Sequence, residues 1–238
     1  EQDTHEEYEN NYDLELDIKN QHTALILCGS SRIGGISLRL LQSLKLGSDN
    51  LDILYIKPDM SLLSHESKLR ERLTFQIMQQ YARSNLFNKM YIIDNTCAEK
   101  LINASLVKDY WNNINEVIAN TYHMINIFNN TEPLLNAPGT KLGVARIATF
   151  GYVDFKTKEE GLLYDLEYPR IKRYYFGISK ETLETDKNLI HDIRSFVRER
   201  SVDEKVNVSF SIYSTDYPQN YVYSVHAASF IQEQNLNL

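Results

Sequence analysis

The stretch from Thr23 to Lys45, TALILCGSSRIGGISLRLLQSLK, constrains this chain more than any other. An apolar run, Ala24 to Leu27, meets the small-residue cluster Cys28-Gly29-Ser30-Ser31-Arg32-Ile33-Gly34-Gly35. A helix-period pattern comes next, with Ile36, Leu40, Leu41 and Leu44 on one side and Ser37, Arg39 and Gln42 on the other. Strand, small-residue turn, helix is the order in which α/β proteins build a phosphate site. The small residues let the backbone close on an anion, and the first free N–H groups of the helix point at it. Neither G-x-x-x-x-G-K-S/T nor G-x-G-x-x-G is present. The same order also makes a plain βα turn that holds no ligand.

The next hundred residues extend the pattern. Leu51 to Ile56 reads as a second buried strand, closed by Lys57-Pro58-Asp59. A helix is expected from about Lys68 to Ser84, with Leu69, Leu73, Ile77 and Tyr81 as its apolar stripe. Met90 to Ile93 reads as a third strand, with Asp94-Asn95 as a turn. This β-α-β-α-β order argues for a parallel sheet whose ligand sits at the C-terminal strand ends. The longest helix is expected over Ser105 to Asn129, where Val107, Tyr110, Trp111, Ile114, Val117, Ile118, Tyr122, Ile125 and Phe128 recur at helical spacing. Asn129 to Pro133 stops it.

Beyond it the texture changes to a second, α+β unit. A strand is read at Val144 to Phe150 and a short helical piece near Glu159 to Asp165. Arg173 to Ile178 comes after it as a strand, then one amphipathic helix over Glu181 to Arg200 with Leu183, Leu189, Ile190, Ile193 and Val197 apolar. Val206 to Ser214 and Tyr221 to Phe230 flank Thr215-Asp216-Tyr217-Pro218-Gln219-Asn220, a hairpin signal. The domain expectation is an acidic lead-in over 1–20, a partial nucleotide-binding α/β unit over 21–104, a central helix over 105–130 and an α+β unit over 131–238.

Composition narrows the functions. The 238 residues suffice for one large or two modest units. No apolar run approaches membrane-spanning length. A net charge of −7 gives no footing for nucleic acid or an anionic membrane. Cys28 and Cys97 form neither a disulfide framework nor a metal spacing, which makes a reducing cytoplasm the default location. No secretory leader is read, and the chain opens on Glu1 rather than Met.

The order of elements from Thr23 to Gln232 resembles the tubulin/FtsZ superfamily from its phosphate loop onward. Gly29-Ser30-Ser31-Arg32-Ile33-Gly34-Gly35 stands where that family has G-G-G-T-G-S/T-G, and Trp111 followed by Asn115-Glu116-Val117-Ile118 resembles its aromatic and polar guanine-holding pair on the central helix. The segment from Val208 to Phe230 resembles its closing hairpin. The resemblance implies a parallel-sheet nucleotide-binding half, a long central helix and an α+β second domain ending in an antiparallel hairpin. It implies GTP or GDP as ligand, with Mg, and head-to-tail association with itself or a related subunit. The implied binding residues are Gly29, Ser30, Ser31, Arg32, Gly34, Gly35, Glu66, Arg70, Asn95, Trp111, Asn115 and Glu116. Glu132 is the one acidic residue matching the family's catalytic loop.

The departures point to a degenerate member. The phosphate loop lacks the family's Thr and central glycines, and only about twenty residues precede the first strand where the family has a hundred or so. A second resemblance, to flavodoxin-type NAD(P)H-dependent FMN reductases, rests on Gly29-Ser30-Ser31-Arg32-Ile33-Gly34 with Ser37 and Leu40 beyond it. A third reading is a structural subunit that binds nothing small. Trp111 serves equally as a core anchor or a stacking platform. His123 reads as a packed core residue, Asp154, Glu159 and Glu160 as a solvated face, and the remaining histidines show no ligand spacing.

Overall fold

The computed structural model describes residues 21–31, 40, 41, 44, 50–102, 107–137 and 143–232. Its strands are β1 (Thr23–Cys28), β2 (Leu51–Lys57), β3 (Lys89–Asp94), β4 (Ile147–Val153), β5 (Glu160–Leu162), β6 (Ile171–Ser179), β7 (Asn207–Thr215) and β8 (Tyr221–Ala228). The helices are α1 (His65–Arg83), α2 (Asn95–Leu101), α3 (Tyr110–Asn130), α4 (Lys180–Thr185) and α5 (Leu189–Arg200). Seven strands lie in the order β1-β2-β3-β4-β8-β6-β7, with β5 paired to β4.

The first four strands are parallel. Buried on both faces, β2 and β3 carry continuous apolar runs rather than alternation. On one face, Leu54, Tyr91, Ile93, Phe150, Tyr175, Tyr213 and Val225 pack against Ile114, Ile118, Ile125 and Phe128 of α3. The helix therefore lies across strands from β2 to β7 of the one sheet. On the opposite face, Ile53, Tyr55, Met90 and Ile92 pack against Phe75, Met78 and Ala82 of α1. Farther along that face, Tyr174, Phe176 and Ile178 pack against Leu189, Ile193 and Phe196 of α5. Within this one sheet, β3 and β4 pair at only two register positions, Met90 with Ile147 and Tyr91 with Ala148.

Several expectations are corrected. The closing segments are not a hairpin: β6 lies between β7 and β8, parallel to β7 and antiparallel to β8. The crossover through α4 and α5 brings β7 beside β6, as a parallel pair requires. Residues 160–162 form a strand on β4 rather than a helical piece. The helix expected over Glu181 to Arg200 is two, because Asp186 closes α4 and its carboxylate accepts from Asn188 N–H. Asp94 does not make a bare turn; it caps α2, accepting from the Thr96 N–H at 2.8 Å. The buried stripe of α1 is Glu71, Phe75, Met78, Gln79 and Ala82, while Leu69 and Leu73 are more than half exposed. The helix after the small-residue cluster lies largely outside the described residues, where only Leu40, Leu41 and Leu44 are seen, all helical.

Candidate functional site at the C-terminal strand ends

Three loops leave the parallel strands at one end of the sheet: Gly29-Ser30-Ser31 after β1, Pro58-Asp59 after β2 and the α2 cap after β3. Gly29 continues the ladder, its N–H donating to Ile56 O at 2.8 Å. Ser30 then turns with φ of 61°, the left-handed conformation that breaks the strand direction. Beneath this turn, α1 supplies a fully buried carboxylate. Glu71 Oε2 accepts from the Tyr55 hydroxyl at 2.8 Å, and its Oε1 is buried with no hydrogen-bond partner. Burial pushes the Glu71 carboxyl up, while the Tyr55 hydrogen bond, the Lys57 charge and the Ser30 backbone N–H pull it down; Asp94 adds to the upward push. Lys57 Nζ lies 4.0 Å from Asp94 Oδ2, so cation and carboxylate from adjacent strands meet at this end.

The expected site residues are spread over several elements. Gly29 and Ser30 form the turn itself, Ser31 comes directly after it, and Asn95 opens α2 half-buried. Glu66 and Arg70 pair at 3.6 Å on the first turns of α1, next to Glu71 in sequence, with Glu66 81% exposed. Trp111 is 60% exposed and meets Tyr110 edge-on at 5.1 Å. It is a surface residue, not a core anchor. Asn115 lies one turn on along the same exposed face, with exposed Glu116 beside it. The start of α3 is tied to this end of the sheet through Tyr110, whose hydroxyl is pushed up by partial burial and by Glu99 and Asp59. Glu132 is exposed in the segment leading to the free edge of β7, where Leu134 N–H donates to Ile212 O at 2.7 Å. Six strand spacings thus separate β1 from the strand beside Glu132. Arg32, Gly34 and Gly35 lie outside the described residues.

Sequence reasoning missed Glu71, Tyr55 and Lys57. The signal was present: Glu71 recurs with Phe75, Met78 and Ala82 at helical spacing, so a carboxylate occupies a core position. Two further assignments change, one in each direction. Glu160 is largely buried, accepting from Ser224 Oγ at 2.6 Å and from the Tyr174 hydroxyl at 3.1 Å, with His226 Nε2 at 2.9 Å. His123 is exposed rather than packed, and it lines a cleft of about 470 Å³ with Met124, Tyr152, Tyr217, Tyr221 and Tyr223. That cleft is lined by aromatic and amide side chains, with His123 as its one titratable imidazole. The charged groups and the backbone turn lie instead at the strand ends, and they define the candidate site. Among the described residues, no cluster of three or more His, Cys, Asp or Glu is arranged to hold a metal. No described helix is long and apolar enough to cross a membrane.

No protein-family model and no curated protein matches the sequence. Solved structures do match. CetZ from Methanosaeta thermophila has a TM-score of 0.63 at 18% identity, over 88% of this chain and 62% of that one. GDP-form protofilaments of TubZ from Bacillus thuringiensis serovar israelensis give 0.62 at 14% identity, over 87% and 61%. The empty FtsZ dimer of M. jannaschii gives 0.58 at 10% identity, over 84% and 69%. A mixed α/β sheet crossed by one long helix, superposing on these three proteins, defines the class: the chain has the tubulin/FtsZ fold. It spans about 62% of the length of the CetZ chain it matches. The flavodoxin-type arrangement is excluded, because that fold sets its first strand between the second and third, whereas β1 lies at the edge of the described sheet.

Proposed function

We propose that this chain is a divergent tubulin/FtsZ-like assembly subunit that binds a guanine nucleotide weakly and associates head to tail. The observation that carries this reading is the convergence of the Gly29–Ser31 turn, the Glu66–Arg70 pair and the start of α3 at one end of a parallel sheet. Support also comes from the similar structures, which include TubZ protofilaments in a GDP form and a GTPgS-bound protofilament of CetZ2 from Haloferax volcanii.

In this reading the N–H groups of the turn, with Arg32, Gly34 and Gly35, take the phosphates, together with any accompanying Mg. Glu66 and Arg70 lie toward sugar and phosphate. Asn95, Trp111, Asn115 and Glu116 hold the base: the indole offers a flat apolar face, and amide or carboxylate groups accept from the base N–H groups. Glu132, on the far edge, is the acidic residue placed to reach the nucleotide of a neighbouring subunit. A single acidic residue there and a degenerate phosphate loop favour binding without efficient hydrolysis. Residues 21–104 then form the partial nucleotide-binding unit, α3 the connection, and 131–238 the second unit, in a cytoplasmic protein.

The test is to denature the purified protein, identify any released small molecule by chromatography, and titrate guanine nucleotide into the Trp111→Ala, Asn115→Ala variant. GDP or GTP on release, with binding lost in a variant whose circular dichroism is unchanged, is the expected result. Unchanged binding in the double variant would sink the base-site assignment. No bound nucleotide, together with no binding at high GTP concentration, would favour a ligand-free structural subunit.

A further inference from the structure

A second charged concavity lies at the opposite end of the sheet. A cleft of about 880 Å³ is bounded by the loop before β6, the loop between α5 and β7, and the segment after β8. Arg170, Lys172, Arg200 and Lys205 contribute cations, against Glu167 and Asp203. The excess is positive on a chain whose net charge is −7. Arg200 is held within the fold, donating to Lys158 O at 2.7 Å. Among the described residues, Arg170, Lys172 and Lys205 enter no salt bridge. Arg170 instead lies 5.3 Å over the ring of Phe230, which is 47% exposed, and Tyr168 beside it is 74% exposed. Unpaired cations next to exposed aromatic rings suit an acidic segment that carries tyrosine.

The chain's own sequence contains one. Residues 1–17, EQDTHEEYENNYDLELD, hold eight carboxylates, two tyrosines and no Lys or Arg. Register fixes where that stretch joins the sheet. Thr23 pairs with Leu51, Asp52 with Lys89, Met90 with Ile147, Ile147 with Ala228, and Ala227 with Ile171. The start of β1 and the start of β6 therefore lie on the same end of the sheet. They are five strand spacings apart, about 24 Å at ~4.8 Å each. Glu9 is fourteen residues before Thr23, a reach of up to about 46 Å at ~3.3 Å per residue. We propose that the cleft formed by Arg170, Lys172 and Lys205 binds the acidic stretch 1–17 of the same chain. Tethering favours this over capture from a second copy, since a short linker holds its ligand at an effective concentration of about millimolar.

The experiment uses the full chain, an equal mixture of unlabelled and 15N-labelled protein, and a zero-length carbodiimide that joins carboxylates to lysine amines. Mass spectrometry is expected to find Glu1–Glu9 joined to Lys172 and Lys205, with each crosslinked pair carrying a single isotope label. Yield should fall about tenfold at ~1 M salt, where the screening length is ~3 Å. It should also fall in the Arg170→Ala variant, which removes a cation of the cleft that the reagent itself does not couple. Crosslinks spread over other lysines, or none from the acidic stretch, would overturn the proposal. Mixed-label crosslinks would overturn it too, and would mark the cleft as a contact between copies.

Discussion

A methyl group built on Gly29 would lie 1.8 Å from Oε2 of Glu71 and 2.8 Å from the Tyr55 hydroxyl. Glycine is required here for close approach, and the neighbours on that side are a buried carboxylate and its hydrogen-bond donor. Gly29→Ala is expected to destabilise the protein by about 1–3 kcal/mol, the usual cost of overpacking. In a denaturant-melt double-mutant cycle, Glu71→Ala should recover part of that loss. Strict additivity of the two substitutions would show that the contact is not the cause.

Glu71 also sets a pH dependence. Its folded carboxyl titrates above the ordinary value of 4.5, chiefly because of burial. Between that value and the raised one, the native state holds more protons than the unfolded state, so stability falls as pH rises through the window. Glu71→Gln cannot titrate and should remove this slope. Urea midpoints taken from about pH 4 to about pH 9 should diverge upward from the acid end in favour of the variant. Parallel curves would refute the assignment.

Glu160 behaves in the opposite sense. Burial alone would push its carboxyl up, but hydrogen bonds from His226, Ser224 and Tyr174 and the charge of His226 hold it below 4.5. Its stabilising contribution is present above that value and is lost as pH falls through the lowered one. His226→Ala leaves the carboxylate without its closest partner and should cost about 3 kcal/mol, as breaking a buried pair does. The variant should also lose some of the wild-type acid-side slope. A melt within experimental error of wild type would make the pair energetically neutral.

Tyr213 closes the far end of α3. Its hydroxyl donates to Phe128 O at 2.9 Å, satisfying one of the last-turn carbonyls that a helix leaves unpaired. Tyr213→Phe should cost about 1–2 kcal/mol. Burial and Tyr175 push the hydroxyl up to about 12, so the wild type should show a phenol that ionises only near that pH by ultraviolet titration, and the variant should lack it.

Legibility of the fold in the sequence depended on whether an element declares itself locally. Strands β1, β2 and β3 and helix α3 were readable because uninterrupted apolar runs and a long 3.6-residue period leave few alternatives. Helix α2 was missed because seven residues are too few for a period, although Asp94 carries a cap signal. Strand β5 was missed because three half-buried residues depend on β4 for their pairing. The apparent hairpin failed for a topological reason: two strands with a turn sequence between them need not be neighbours once a crossover has inserted a third. At the candidate site, the turn at Gly29 and Ser30 was visible as small residues. The carboxylate beneath it was readable only through the helix phase: Glu71 shares the stripe of Phe75, Met78 and Ala82, whereas the stripe taken from the sequence was Leu69, Leu73, Ile77 and Tyr81.

The narrow join between β3 and β4 has a mechanical consequence. Other neighbouring strands of the main path pair over six to nine positions, whereas this seam has two. Twisting one half of the sheet against the other therefore breaks few ladder bonds, and α3 is left as the shaft that transmits the torque. Its grip is uneven: Phe128 near one end stacks on Tyr175 and meets the tilted rings of Tyr213, Tyr221 and Tyr223, while Trp111 at the other is mostly exposed. A force applied at the strand-end site would thus swing the loosely held end of the shaft and leave the aromatic end as its pivot.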